Sequence, residues 1–213
     1  MSNGTERYLA GWCPTRIGDG DEDQWGGSLV CHRMLFNADG TIDLKLPDGI
    51  DKKFTTLKKT VLIDKSGKAV KKEDSYVLSD VASVSFPRLD KTCKIEATVK
   101  ATGNDDAFGF AFGACDDKTE VYSIRFDLKN KQLVMSKDDL TRGTTPTQTN
   151  VALTVPADKL FKVKIVAEKS VCVMYVNDKI AFSNRIDKMP KNPWAIFTDK
   201  GTEISFSDIK VYE

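Results

Sequence analysis

Apolar and polar residues alternate along most of this chain with a period of two. "TIDLKLP" sets Ile42, Leu44 and Leu46 against Thr41, Asp43 and Lys45. "CKIEATV" sets Ile95, Ala97 and Val99 against Lys94, Glu96 and Thr98, and "AFGFAFGA" aligns Phe108, Phe110 and Phe112 opposite Gly109, Ala111 and Gly113. "VYSIRFDL" turns Tyr122, Ile124, Phe126 and Leu128 inward and leaves Ser123, Arg125 and Asp127 outside. Successive strand side chains point to opposite faces, so each stretch predicts a half-buried strand. "QLVMSK", "FKVKIVAE", "VCVMYV", "KIAFSNR", "PWAIFTD" and "EISFSDIKVY" continue the series, separated by turn-forming "LKNKQ", "AEKS", "VNDK" and "DKGTE". Helical periodicity is scarce: "TTLKKTVLIDKSGKAVKKEDSYVL" spreads charge around every face and is broken by Gly67. Many short strands on hairpin-length loops predict an all-β fold, an antiparallel β-sandwich of jelly-roll or concanavalin-like type with an N-terminal strand appendage. No fixed-period repeat indicates a propeller or solenoid formed by this chain alone.

One strand breaks the alternation. "VCVMYV" is apolar at every position, with Val171, Val173 and Tyr175 on one face and Cys172, Met174 and Val176 on the other. A sandwich strand needs only one dry face, so something must cover the second. Either a segment of the same chain lies there, or another domain docks there. The domain-interface set is Cys172, Met174 and Val176.

Composition narrows the classes. Of 213 residues, 40% are hydrophobic and 30% charged, enough to fill a core and too apolar for disorder. The 32 basic and 31 acidic residues leave a net charge of +1, which offers no concentrated field for nucleic acid or an anionic membrane surface. No apolar run approaches the roughly 18–20 residues a membrane helix needs. "MSNGTERYLAGW" is polar and has no signal-peptide pattern, so location is not read from it. The cysteines at 13, 31, 93, 115 and 172 are scattered, and His32 is the single histidine; no zinc spacing arises and no metal or cofactor is expected. Cys93 and Cys172 read as small buried hydrophobes. The acidic "IGDGDEDQWGG" at 17–27 lacks the full ligand frame of a calcium loop.

The apolar hairpin also carries a family likeness. "EKSVCVMYVNDKIAFSNRI" resembles the "D-R-S-S-V-E-V-F-V-N-D…S-R-I" segment in the C-terminal sandwich of glycoside hydrolase family 32, the invertases, levanases, inulinases and sucrose-6-phosphate hydrolases. Glu168, Lys169 and Ser170 stand at its Asp-Arg-Ser; Val176, Asn177 and Asp178 match Val-Asn-Asp; Ser183, Arg185 and Ile186 match its tail; Val173 replaces its glutamate. "YLAGWCPTR" and "WGGSLVCHRMLFNADGTIDLKLP" are similar to that family's last propeller strands and lead-in, with Cys13-Pro14 in place of Met-Asn and His32-Arg33 in place of Pro-Arg. The resemblance implies a divergent, Bacteroidetes-type branch, periplasmic or extracellular if its parent is secreted. It implies that residues 1–50 are the end of the last propeller blade and that 51–213 form the sandwich.

The same resemblance shows what is missing. Retaining glycosidases need two carboxylates about 5–5.5 Å apart. The family's "W-M-N-D-P-N-G", "R-D-P" and "E-C" motifs are not present. Asp105-Asp106, Asp116-Asp117 and Asp138-Asp139 are sequence neighbours whose side chains diverge on a strand. The expected role is therefore an accessory domain of a fructan- or sucrose-type glycosidase, bracing a catalytic propeller, bordering its cleft and not catalytic alone. A freestanding lectin-like carbohydrate-binding module is the alternative. Candidate carbohydrate-binding residues are Trp12, Thr15, Arg16, Trp25 and, on the polar sandwich face, Arg125; indoles stack on sugar C–H surfaces and guanidinium forks grip hydroxyls, and the resemblance implies that Thr15 and Arg16 face substrate. Both tryptophans also suit a domain junction, and Trp194 is expected to cap one end of the sandwich.

Overall fold

A computed structural model describes residue 4 and residues 6–16, 23–89, 91–113, 120–139, 147–186, 193–200 and 202–213; the side chains of 15, 16, 23–26, 120, 138, 139, 147 and 148 lie outside that description. The strands are β1 (Arg7–Arg16), β2 (Asp23–Phe36), β3 (Ile42–Lys45), β4 (Leu57–Lys58), β5 (Asp64–Lys72) and β6 (Ser75–Phe86). They continue as β7 (Cys93–Lys100), β8 (Ala107–Gly113), β9 (Glu120–Asp127), β10 (Gln132–Asp139) and β11 (Thr147–Ala152). The last are β12 (Leu160–Glu168), β13 (Val171–Val176), β14 (Ile180–Arg185), β15 (Trp194–Lys200) and β16 (Ile204–Tyr212). One short helix, α1 (Asp48–Asp51), follows β3.

β1, β2 and β3 form a separate three-stranded antiparallel sheet. All other strands lie on one hydrogen-bonded path, β11-β10-β9-β8-β15-β6-β16-β7-β12-β13-β14, with β5 on β6 and β4 on β16. That path doubles over itself at β6. Its first half, Ser75–Leu78, pairs with β16, and its second half, Ala82–Phe86, pairs with β15. At the bend Asp80 has φ of 54° and, on the partner β5, Gly67 has φ of 66°. A side chain at Gly67 would place Cβ 2.1 Å from the Val81 carbonyl oxygen, so only glycine lets β5 follow the corner.

The fold is thus an antiparallel β-sandwich with an N-terminal strand appendage. Phenylalanines fill the space between the layers. Phe108 and Phe126 stack at 5.0 Å, and Phe161 and Phe206 meet them from the other layer at 5.2 to 6.1 Å. Phe108, Phe110, Phe112, Tyr122, Ile124, Phe126 and Leu128 are all buried, as their alternation predicts. Trp194 is buried and stacks on Phe86 at 4.5 Å, so it fills the core where an end cap was expected.

β13 is buried on both faces, but the faces exchange the roles expected of them. Cys172, Met174 and Val176 belong to the core between the layers. Val171, Val173 and Tyr175 form a second cluster with Cys13 and Leu46. Register explains the exchange: Met174 lies opposite Ile165 on β12, whose own inward row is Phe161, Val163, Ile165 and Ala167.

Candidate functional site

The N-terminal sheet sits on the outer face of β13 and β14, and polar side chains fasten the two bodies along that seam. Outward of Val173 lies Ser183, and outward of Val171 lies Arg185, each its cross-strand partner on β14. Arg185 donates from Nε to the Pro14 carbonyl at 2.5 Å, from one terminal nitrogen to the Cys13 carbonyl at 2.6 Å, and from the other to Ser170 Oγ. One guanidinium fork therefore satisfies two β1 carbonyls and a turn hydroxyl together. His32 on β2 is buried, with Nδ1 3.0 Å from the Tyr175 hydroxyl and Nε2 3.1 Å from Ser183 Oγ. Burial lowers the His32 pKa and raises that of Tyr175. A neutral imidazole has one donor and one acceptor nitrogen, and two hydroxyls can serve either. The Leu44 amide adds a backbone bond of 2.9 Å to the Lys179 carbonyl, at the β13–β14 turn.

α1 anchors the other end. Asp48 accepts from Arg33 and, at 2.8 Å, from Lys45. Asp51 accepts from Lys94 and, at 3.3 Å, from Lys164. Burial pushes the Asp51 carboxyl up, but the bond from Lys94 and the charge of Lys164 outweigh it and the pKa falls. Lys94 itself is buried, 4.8 Å from the Tyr212 ring centre, while Asp51 stays partly exposed.

The motif residues that carry the family likeness prove to be seam and turn parts. Asn177 and Asp178 have φ of 54° and 50°, as a two-residue hairpin turn demands. Asn177 also accepts from the Lys162 amide at 2.7 Å. Ser170, Ser183 and Arg185, members of the motif, are clamp residues here, and His32 joins them. The signal was the motif itself. Its partners were invisible because Arg185 and Pro14 are 171 positions apart.

Of the expected carbohydrate residues, Trp12 and Arg125 have described side chains, and they lie on different sheets. Trp12 is on β1 and pairs with Leu29, the two being 53% and 68% exposed on the sheet that covers β13. Thr15, Arg16 and Trp25 lie at the far ends of β1 and β2, where their side chains, like residues 17–22 of the acidic stretch, fall outside the described part. Arg125 belongs to β9, on the outer face of the opposite layer, beside a depression of about 460 Å³. Among the described residues no cluster of three metal-ligating side chains occurs, and no helix is long and apolar enough to cross a membrane.

Fold and seam together define an antiparallel β-sandwich with a three-stranded sheet fastened to one outer face. The family described as GH32, BT1760-like, C-terminal domain matches residues 40–211, and the chain belongs to that family. It is therefore an accessory C-terminal sandwich domain of glycoside hydrolase family 32. No curated protein matches the sequence. Among solved structures, the Aspergillus japonicus fructosyltransferase superposes with a TM-score of 0.63 at 13% identity, over 98% of this chain and 34% of that one. The Aspergillus awamori exo-inulinase gives 0.62 at 14%, over 97% and 40%. The carbohydrate binding module CBM66 from Bacillus subtilis gives 0.57 at 11%, over 75% and 99%. The chain thus spans well under half the length of the two enzymes.

Proposed function

We propose that this chain braces the catalytic propeller of a fructan- or sucrose-type glycosidase and is not catalytic by itself. The observation that carries the reading is the seam. The N-terminal sheet is clamped to the sandwich through one face, while Trp12 and Leu29 remain exposed side by side. An exposed indole–leucine pair on a sheet already anchored elsewhere suits packing against further propeller strands. The fructosyltransferase and exo-inulinase likenesses support the substrate class. Thr15, Arg16 and Trp25, on the strand ends beyond Pro14, then border the substrate cleft.

The test is to produce a family 32 propeller segment with and without this chain and follow sucrose and fructan hydrolysis through thermal inactivation. The chain alone should hydrolyse neither, and its presence should prolong the activity of the propeller. Hydrolysis by the isolated chain, or an inactivation rate indifferent to it, counts against the reading.

A second reading, that the sandwich itself holds carbohydrate, draws on the likeness to the binding module and on the polar depression beside Arg125. Calorimetric titration of the chain with neutral oligosaccharides tests it, and heats no greater than dilution would dismiss it.

A further inference from the structure

The outer face of the layer containing β8, β9 and β15 has a floor almost free of side chains. Residues directly opposite one another in an antiparallel pair share a face. Arg125 on β9 lies opposite Gly109 on β8, and Gly109 lies opposite Phe197 on β15. Glycine there is required by close packing, because a Cβ would sit 2.0 Å from the Ile124 carbonyl oxygen. A guanidinium and an aromatic ring therefore flank a position without a side chain, and both line the depression. The neighbouring row is Ser136, Ser123, Ala111 and Ala195, and beyond Phe197 come Ser83 and Ser66, whose hydroxyls are 3.0 Å apart. The resulting depression of about 460 Å³ is within the usual range for small-ligand sites, about 300–1,000 Å³.

Arg125 is poised for a ligand. Its Nε is shielded from solvent and has no hydrogen-bond partner among the described residues, and a terminal nitrogen is 3.6 Å from Asp199 Oδ2. A buried donor left unpaired is costly, which favours a ligand that brings it an acceptor. Asp199 beside Arg125 offsets part of its positive charge, which disfavours an anionic ligand. A neutral sugar ring presents hydroxyls that both donate and accept, and C–H faces that pack on an aromatic ring.

We propose that this depression is a subsite for a neutral sugar residue, on the opposite side of the sandwich from the propeller seam. It rests on the second reading above and adds the place and the ligand class. A glycan held there leaves Trp12 and Leu29 free for the catalytic partner, so one polymer could engage both bodies of the longer protein. Two linked sites raise the effective concentration of the second binding event.

The experiment is a two-dimensional NMR titration of the 213-residue chain with fructo-, gluco-, manno- and xylo-oligosaccharides and, separately, an oligogalacturonate. The expected result is saturable shifts at 123–125, 136 and 197–199 with at least one neutral oligosaccharide and none with the uronate. Arg125→Gln and Phe197→Ala should each weaken binding at least tenfold. Arg125→Lys keeps the charge without the fork and should also weaken it, which separates recognition from misfolding when its spectrum matches the parent. Saturable shifts confined to other residues would overturn the location and leave the carbohydrate-binding reading standing. No saturation with any neutral sugar would overturn both. Preference for the uronate would overturn the ligand class.

Discussion

At the scale of single residues, Arg185 and His32 decide how the N-terminal sheet stays in place. Arg185 gathers two carbonyls of β1 and the Ser170 hydroxyl into one fork, so Arg185→Met keeps the apolar stem but orphans three acceptors. Hydrogen bonds to a charged group are worth about 1.5–3 kcal/mol each and do not add fully. A loss of about 2–3 kcal/mol is expected, read as a lower urea midpoint at an unchanged slope. His32 makes the same seam acid-sensitive. Burial lowers its pKa below the ordinary 6.5, so the unfolded chain takes up a proton before the folded one. The stabilisation is complete above pH 6.5 and is lost as pH falls below that value toward the lowered folded pKa. Unfolding midpoints measured between pH 8 and 5 should hold steady above 6.5 and drop below it. His32→Gln should flatten that drop while lowering the plateau, and an unaltered slope would show that another group titrates.

Single elements show where the linear pattern suffices and where it fails. β8 and β9 were legible because their alternation is strict, and Phe108 to Phe112 and Tyr122 to Phe126 all point into the core. β5 was not, because "DKSGKAVKK" buries only Ala69 and pairs on one side, so it carries no apolar face to read. β13 gave burial without parity: six apolar residues cannot say which face is inner. Its hairpin partner could have said so, since the charged Lys162 and Lys164 fix the outer row of β12 and the turn at 169–170 sets Ile165 opposite Met174. Arg185 was legible as a motif member, but its role was not, because the carbonyls it holds lie at the other end of the chain. The corner of β5 gives a prediction at this scale. Gly67→Ala forces a Cβ against a backbone oxygen at positive φ, and a cost of more than about 1 kcal/mol is expected in denaturant unfolding. No loss would mean that β5 turns the corner with a different backbone path.

For the whole molecule, the two outer faces of the sandwich have separate assignments. One is covered by the N-terminal sheet; the other carries the open depression around Arg125. The brace assignment stands or falls on docking through Trp12 and Leu29. The direct measurement is calorimetric titration of the separately produced propeller segment with this chain and with its Leu29→Asp variant. A one-to-one complex is predicted. Losing burial of one leucine costs about 1.5–3 kcal/mol, so the variant should bind roughly 10- to 150-fold more weakly. A chain that ignores the propeller, or one whose affinity is untouched by Leu29→Asp, would contradict the account.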